Sequence, residues 1–522
     1  MAGLPGAISR VPDGMAAAVL AGVNPVQGLY ASFAGPIAGG LTSNTRLMVI
    51  TTTSAASLAA GSALHSLPPA ERPDAMVLLA LVAGVALMAA GIVGFGRYAR
   101  FVSYSVMTGF LTGISVNILC GQVPDITGAK ASGAFPIAKT LDVVIHPGHI
   151  DLASLLTGLG ALAILIALAR TRWSVLSALI ALLIPTVVVA LAGVSSVARV
   201  GDVGKIPRGI PVPHLPELRF FSFSLVTGAL AIAAIVLVQG VGVSEATPNE
   251  GSARPSPNQD IIAQGVANLV SGFFRGLPVG GSVGQTAVSV KAGARSRWAS
   301  IWGGVWMLVI LVAFSGLVAR VAVPTLAAIL ILAAAGSLRL GELTTIWRTG
   351  RISQIAVVTT FLATLFLPVA AAVGIGIALS LMLQLNQEAM DLRVVELVTS
   401  ADGRFEERPA PAKLTSHQVT ALDVYGSLMY AGSRTLQAHL PDPDGTQEPA
   451  VVLRLRGRTS LGATFIKVVA DYADRLADVD GRLYLSGLDP ELAERLHRNG
   501  SVEGPLRTFS ATALVGESTQ AA

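Results

Sequence analysis

The sequence predicts an α-helical polytopic membrane protein followed by a compact α/β domain, and three observations carry that prediction. Of 522 residues, 52% are hydrophobic and only 13% are charged; mean hydropathy is +0.66, too apolar for a water-soluble surface. Most of the chain divides into apolar runs of about 17 to 22 residues, the length that crosses a bilayer's hydrocarbon core. Helices are the default there, because lipid offers the backbone no hydrogen-bond partner. After residue 388 the composition changes: "EAMDLRVVELVTSADGRFEERPAPAK" is charged and proline-containing.

Fourteen candidate spans follow, at residues 2–22, 26–42, 48–64, 76–95, 101–121, 152–169, 174–193, 221–243, 261–273, 283–297, 299–320, 323–337, 353–367 and 369–387. The 55 glycines and 28 prolines suit such helices, since small residues allow close backbone approach and breaks are tolerated where protein or water lines them. Several runs are too short to span alone. Short, Gly/Pro-interrupted segments at corresponding places in two halves point to a transporter's binding site. The third span opens on "ITTTSAAS" and the tenth after "GLPVGGSVGQT", seven spans apart.

Orientation follows from Lys and Arg in short loops. One set holds Arg46, Arg97, Arg100, Arg170, Arg172, Arg254, Lys291, Arg295, Arg297, Arg339, Arg348 and Arg351, and is assigned to the cytoplasm. The opposite loops hold mainly Arg72, Lys130, Lys139 and Arg275, with the 194–220 connection an exception carrying Arg199, Lys205, Arg208 and Arg219. An even span count then puts both termini inside, as expected for a bacterial inner-membrane protein. The formal charge of +5 is explained by this topology and implies no nucleic-acid partner.

The chain therefore divides into a transport region at 1–387, a linker at 388–417 and a soluble domain at 418–515. In that domain "VTALDVYGSLMYAG", "PAVVLRLRG" and "GRLYLSGL" read as strands. "LGATFIKVVADYADRLA" reads as an amphipathic helix, and "DPELAERLHRNG" as a helix capped by Asp489 and stopped at Gly500. Strands alternating with helices predict a cytoplasmic α/β fold, with "GESTQAA" as a disordered tail.

Enzymatic chemistry finds no support. The single cysteine, Cys120, forms no intrachain disulfide. The seven histidines are scattered, and "HPGH" at 146–149 lacks a companion set of metal ligands. No P-loop, nucleophile elbow or dinucleotide-binding motif is present, so neither a cofactor nor a metal is expected.

"VPDGMAAAVLAGVNPVQGLYAS", "FVSYSVMTGFLTGISVNILCGQVPDITG", "VGDVGKIPRGIPVPHLP", "PNQDIIAQGVANLVSGFFRGLPVGGSVGQTAV" and "VPTLAAILILAA" resemble, in order, blocks of the SulP sulfate permease family. The soluble tail sits where that family carries a STAS domain. The resemblance implies a 7+7 inverted repeat, in which a core of spans 1–4 and 8–11 moves against a gate of spans 5–7 and 12–14, commonly in a homodimer. It also implies an inorganic anion such as sulfate or bicarbonate as substrate, bound between the starts of spans 3 and 10 where helix N-termini favour negative charge.

The positions matching that site are Asp13 and Gly14 in span 1, Thr51, Thr52, Thr53 and Ser54 opening span 3, Gln239 and Gly242 in span 8, and Ser282, Gly284, Gln285 and Thr286 opening span 10. Three departures stand out. Asp13 follows Pro12 where the family commonly has Gln; Gly242 stands where a Glu is common, with Glu245 one turn further on; and Gly284-Gln285-Thr286 replaces a Ser-Arg-Ser or Ser-Arg-Thr. In STAS domains of the anti-sigma-antagonist type an Asp-Ser precedes the helix, whereas "RGRTSLG" has Thr459 and Ser460 without the Asp, which weakens phosphoregulation at Ser460 against a packing role.

A carboxylate near mid-membrane costs at least about 2.5 to 3.5 kcal/mol, so it should face a cavity, find a partner or be protonated. Asp13 is accordingly read as a carrier of the coupling proton, or as a sodium ligand, with Glu245 as its alternate. The structural alternative is that Asp13 caps a broken first helix. For Thr51 to Ser54, Gln239 and Gln285, ordinary interhelical packing is the competing role. Three functions remain open: a secondary anion transporter working by proton-coupled symport or exchange, a carrier of a neutral or weakly acidic organic solute on the same fold, and a membrane-anchored regulator.

Overall fold

The computed structural model describes residues 3–96, 103–133, 135–171, 173–174, 176–203, 211–247, 256–338, 340–390, 392–399, 404–428, 430–458, 461–489, 491, 494 and 506–509. Arg97, Arg100, Arg172, Lys205, Arg208, Arg254, Arg339, Thr459, Ser460, Gly500 and the "GESTQAA" tail lie outside them. The chain forms two compact units, Met1–Ser380 and Leu381–Ala522.

The first unit is helical apart from two short strands. Its first half comprises α1 (Gly3–Leu20), α2 (Pro25–Thr42), β1 (Ile50–Thr52), α3 (Ser54–Ala63), α4 (Arg72–Val93), α5 (Tyr104–Gly121), α6 (Val123–Thr127), α7 (Pro136–Ile145), α8 (Leu152–Leu168), α9 (Ser177–Leu191) and α10 (Val200–Val203). The second comprises α11 (Phe223–Ala246), α12 (Pro257–Phe273), β2 (Val279–Gly281), α13 (Val283–Lys291), α14 (Trp298–Val318), α15 (Val323–Ser337), α16 (Leu340–Thr349), α17 (Arg351–Phe366) and α18 (Val369–Met390). Among the described residues, four helical stretches are long and apolar enough to cross a membrane: 72–93, 104–127, 223–246 and 323–349. Five shorter apolar helices accompany them.

Caps and small residues explain where these helices start and how closely they pack. Asn24 accepts from the Val26 N–H at 3.0 Å and Pro25 follows at the first helical position, fixing the start of α2. Ser222 caps α11 in the same way through the Leu225 N–H. Gly14 of α1 faces Gly28 of α2 so closely that a Cβ on Gly28 would overlap the Gly14 carbonyl. Gly84 of α4 lies against Gly265 of α12, where a Cβ would come within 2.9 Å of a carbonyl oxygen. Gly109 and Gly113 of α5 take up Thr360 and Thr364 of α17. Such contacts suit helices whose association in lipid depends on packing more than on the hydrophobic effect.

Three spans differ from their predicted form. The third, 48–64, is a strand followed by a ten-residue helix. The tenth, 283–297, stops at Lys291 after nine helical residues and turns at Gly293, whose φ is +84°. The ninth begins at Pro257, ahead of the predicted 261, because its first turn is polar and gives no hydropathy signal.

The second unit carries a six-stranded sheet in the order β4-β3-β5-β6-β7-β8, with β3 (Arg393–Thr399), β4 (Phe405–Pro409), β5 (Val419–Tyr425), β6 (Ala450–Arg458), β7 (Arg482–Leu488) and β8 (Leu506–Phe509). β5 to β8 run parallel, and β3 pairs antiparallel with both β4 and β5. α19 (Tyr430–His439) and α20 (Ala463–Ala477) pack on it, burying Leu422, Leu453, Phe465, Val469 and Leu485. The 388–417 linker reading is corrected here, since β3 and β4 occupy much of it. All five β4 residues are exposed, so that strand has no hydrophobic period to betray it. α19 likewise replaces the strand predicted through Gly432, and Asp489 accepts from the Glu491 N–H at 3.0 Å, as a cap does.

Gly28→Ala is expected to abolish monodisperse protein on size exclusion in detergent. Gly148→Ala, whose Cβ meets nothing within 4 Å, should elute and melt as the native chain does.

Candidate functional site

β1 and β2 pair antiparallel, with Ile50 opposite Gly281, Thr51 opposite Gly280 and Thr52 opposite Val279. Each strand runs directly into a helix, so α3 and α13 leave opposite ends of one three-residue ribbon and their N-termini lie across it from each other. Thr53 caps α3 by accepting from the Ala56 N–H at 3.3 Å, and Ser282 caps α13 through the Gln285 N–H at 3.3 Å. A helix leaves its first N–H groups without intrahelical acceptors and carries partial positive charge at that end. Two such ends at one place make a site for an anion.

The ribbon is held from behind by α12. Asp260, Gln264, Asn268 and Ser271 recur at helical spacing and are all buried. Asn268 accepts from the Val279 N–H at 3.0 Å and donates to the Val279 carbonyl at 2.7 Å; Gln264 accepts from the Gly281 N–H at 2.9 Å. Ser271 donates to the Leu277 carbonyl at 2.6 Å. Asp260 accepts from the N–H groups of Asn44 and Thr45 at 2.8 and 2.9 Å and from the hydroxyls of Thr45 and Ser244 at 2.6 and 2.7 Å, which ties the approach to β1 to α11. This stripe lies outside the predicted site residues, although its i, i+4, i+8 polar period inside an apolar helix is a signal that the sequence carries.

The predicted residues then sort by their surroundings. Gln285 of α13 donates to the Asp13 carboxylate, and the Ser9 hydroxyl lies 3.0 Å from Gln285 Oε1, so α1 and α13 meet through polar groups. Thr286 accepts from the Val49 N–H at 3.0 Å, while the Ser282 N–H donates to the Val49 carbonyl at 2.9 Å. Thr51 is buried with an unpartnered hydroxyl; Thr52 is buried in the ribbon, and Ser54 is half-buried at the start of α3. The Oε1 of Gln239 is buried without a hydrogen-bond partner. Gly242 and Gly284 are exposed, and a Cβ on either would meet nothing within 4 Å. Gly14 belongs to the α1–α2 crossing, and Glu245 lies exposed near the end of α11.

Arg10, one helical turn before Asp13, is a further charged residue absent from the predicted set; its side chain is 1% exposed. Away from the ribbon, Asp74, His214 and Glu217 bring their ligand atoms within 4.8 Å of one another. The Arg275 guanidinium already lies 3.3 Å from Asp74 and 2.9 Å from His214 Nε2, and Arg219 lies 2.6 Å from Glu217, so these groups are held by arginines rather than disposed around an empty centre.

Apolar helices surrounding a ribbon that joins two half-helix starts define an integral membrane transport protein. The chain belongs to the sulfate permease family, whose pattern matches residues 1–362. The putative sulfate transporter YvdB of Bacillus subtilis is 24% identical over 504 residues, covering 96% of this chain and 93% of that protein. The same fold is found in the solved structure of SLC26A9, with a TM-score of 0.87 at 20% identity over 100% of this chain and 90% of that one. The transmembrane domain of the cyanobacterial bicarbonate transporter BicA gives a TM-score of 0.61 at 17% identity, over 73% and 95%.

Asn268→Leu strands both polar groups of Val279. It is expected to lower stability by about 1 to 3 kcal/mol for each group left unpaired, read as a lower melting temperature in detergent.

Proposed function

We propose that this chain is a secondary active transporter of an inorganic oxyanion, sulfate-like or bicarbonate-like, that works by alternating access and couples movement of the anion to protons through Asp13. The observation that carries the reading is the pair of opposed helix starts, α3 and α13, with a carboxylate from α1 hydrogen-bonded into the second of them. Helix N-termini offer N–H donors and partial positive charge to an anion without bringing a mobile counter-ion. Asp13 adds a group whose charge can be switched. Ionised, it accepts from Gln285 and repels an anion at the same place; protonated, it loses that repulsion and gains a donor.

In this reading the first unit contains fourteen spans as a 7+7 inverted repeat, with the ribbon at its centre and both termini cytoplasmic in a bacterial inner membrane. The second unit is a STAS-like domain that stabilises a homodimer. The sheet order with four parallel strands, and with α19 and α20 packed on it among the described residues, supports a compact regulatory or assembly module more than a catalytic one, since its sequence carries no motif for chemistry.

The test is labelled-sulfate uptake into proteoliposomes, with and without an inward proton gradient, for the native protein and Asp13→Asn. Native uptake should rise with the gradient, and Asp13→Asn should transport without that response. Folded native protein that moves neither sulfate nor bicarbonate under either condition would overturn the assignment.

A further inference from the structure

Among the described residues, Arg10 is the one lysine or arginine that is fully buried. Its Nε and both terminal nitrogens are enclosed and have no hydrogen-bond partner. The surroundings are cut to admit it. A Cβ on Gly6 of α1 would come within 3.1 Å of the guanidinium, and one on Gly303 of α14 within 2.8 Å. Two glycines, on two helices, therefore leave the volume that this side chain fills.

An arginine does not shed its proton to escape burial, and a buried cation with no partner is costly enough to need an explanation. Asp13, an acid, lies one helical turn further along α1. The guanidinium makes no hydrogen bond to that carboxylate, which accepts instead from Gln285 of α13. Arg10 thus stands one turn from the carboxylate at the helix starts, with five donors uncommitted.

Building on the anion-transport reading, we propose that Arg10 is the fixed countercharge of the anion site, offsetting Asp13 while the site is empty and the bound oxyanion while it is filled. It acts by charge from beside the site and is a positioning residue, since the guanidinium lies enclosed between α1 and α14. In the low-dielectric interior one such charge reaches across a helical turn with far less screening than in water. The arrangement lets an acid serve as proton carrier at an anion site without making that site net negative.

The experiment is equilibrium binding of labelled sulfate, with bicarbonate as competitor, to purified protein in detergent without added lipid, at pH 7.5, for native protein, Arg10→Lys, Arg10→Met, Asp13→Asn and the Arg10→Met/Asp13→Asn double variant. Arg10→Met should weaken binding at least about tenfold, the scale of one charge-assisted interaction. Arg10→Lys should restore most of it, and Asp13→Asn should bind more tightly than native. The double variant should fall below Asp13→Asn by the same factor as Arg10→Met falls below native. Arg10→Met should also melt no lower than native without ligand, because it replaces an unpaired buried charge with an apolar group of similar length, and this separates lost binding from lost folding. Binding unchanged in Arg10→Met, or a double variant equal to Asp13→Asn, would overturn the proposal while leaving anion transport standing; in the second case Arg10 serves only to neutralise Asp13. Native protein that binds neither sulfate nor bicarbonate would overturn the transport reading itself, and this inference with it.

Discussion

A peptide group inside a hydrocarbon slab must find its hydrogen-bond partner within the protein, and the centre of this molecule is arranged around that constraint. A site that offers helix N-termini to a ligand needs helices that begin in the interior, and the chain leading to each beginning cannot itself be helical. Here that chain is the β1–β2 ribbon. Its inner edges satisfy one another, and much of its remaining polarity is met by Gln264 and Asn268 from α12. Without that stripe the ribbon would expose unpaired N–H and C=O groups to an apolar core, and the two helix starts would have no fixed place.

The same constraint explains which parts of the fold were legible from sequence. Long apolar helices such as α4 and α11 announce themselves by composition, and the interrupted third and tenth segments by their short length and small residues. The polar stripe escaped because hydropathy averages over a helix: Asp260, Gln264 and Asn268 lower the score of α12 without showing which backbone groups they serve. β4 escaped for the opposite reason, since a fully exposed edge strand has no buried face and is defined only by pairing with β3. At the site, Asp13 and Gln285 were legible individually, but their contact across 272 residues of sequence was not. Arg10 was hidden within an otherwise apolar run, where a single charge near the start of a span reads as an interfacial residue until its burial is known.

Seen together, the charged groups of the interior show two different solutions to one problem. Asp260 is buried and receives four hydrogen bonds, which is how a permanent structural carboxylate is stabilised. Asp13 is half-buried, and its carboxylate takes a hydrogen bond from a side chain on another helix. A fully satisfied carboxylate fixes a loop; a sparsely satisfied one retains the capacity to change partner or charge. On the proposed transport reading, the contrast separates scaffold from working part more clearly than burial alone does.

The ties that hold the ribbon also set an order of assembly. The N–H groups of Asn44 and Thr45 wait for Asp260, 216 and 215 residues downstream, and that of Val49 waits for Thr286, 237 residues downstream. Local helices form far faster than residues are added to the chain, whereas contacts this distant in sequence must await synthesis of the second half. The first half of the chain is thus an incomplete object when it enters the membrane, with its third segment lacking the partners that define its shape. Maturation of this protein is a problem of keeping that segment available until its counterpart arrives, and the insertion machinery handles an open half-site for as long as translation takes to close it.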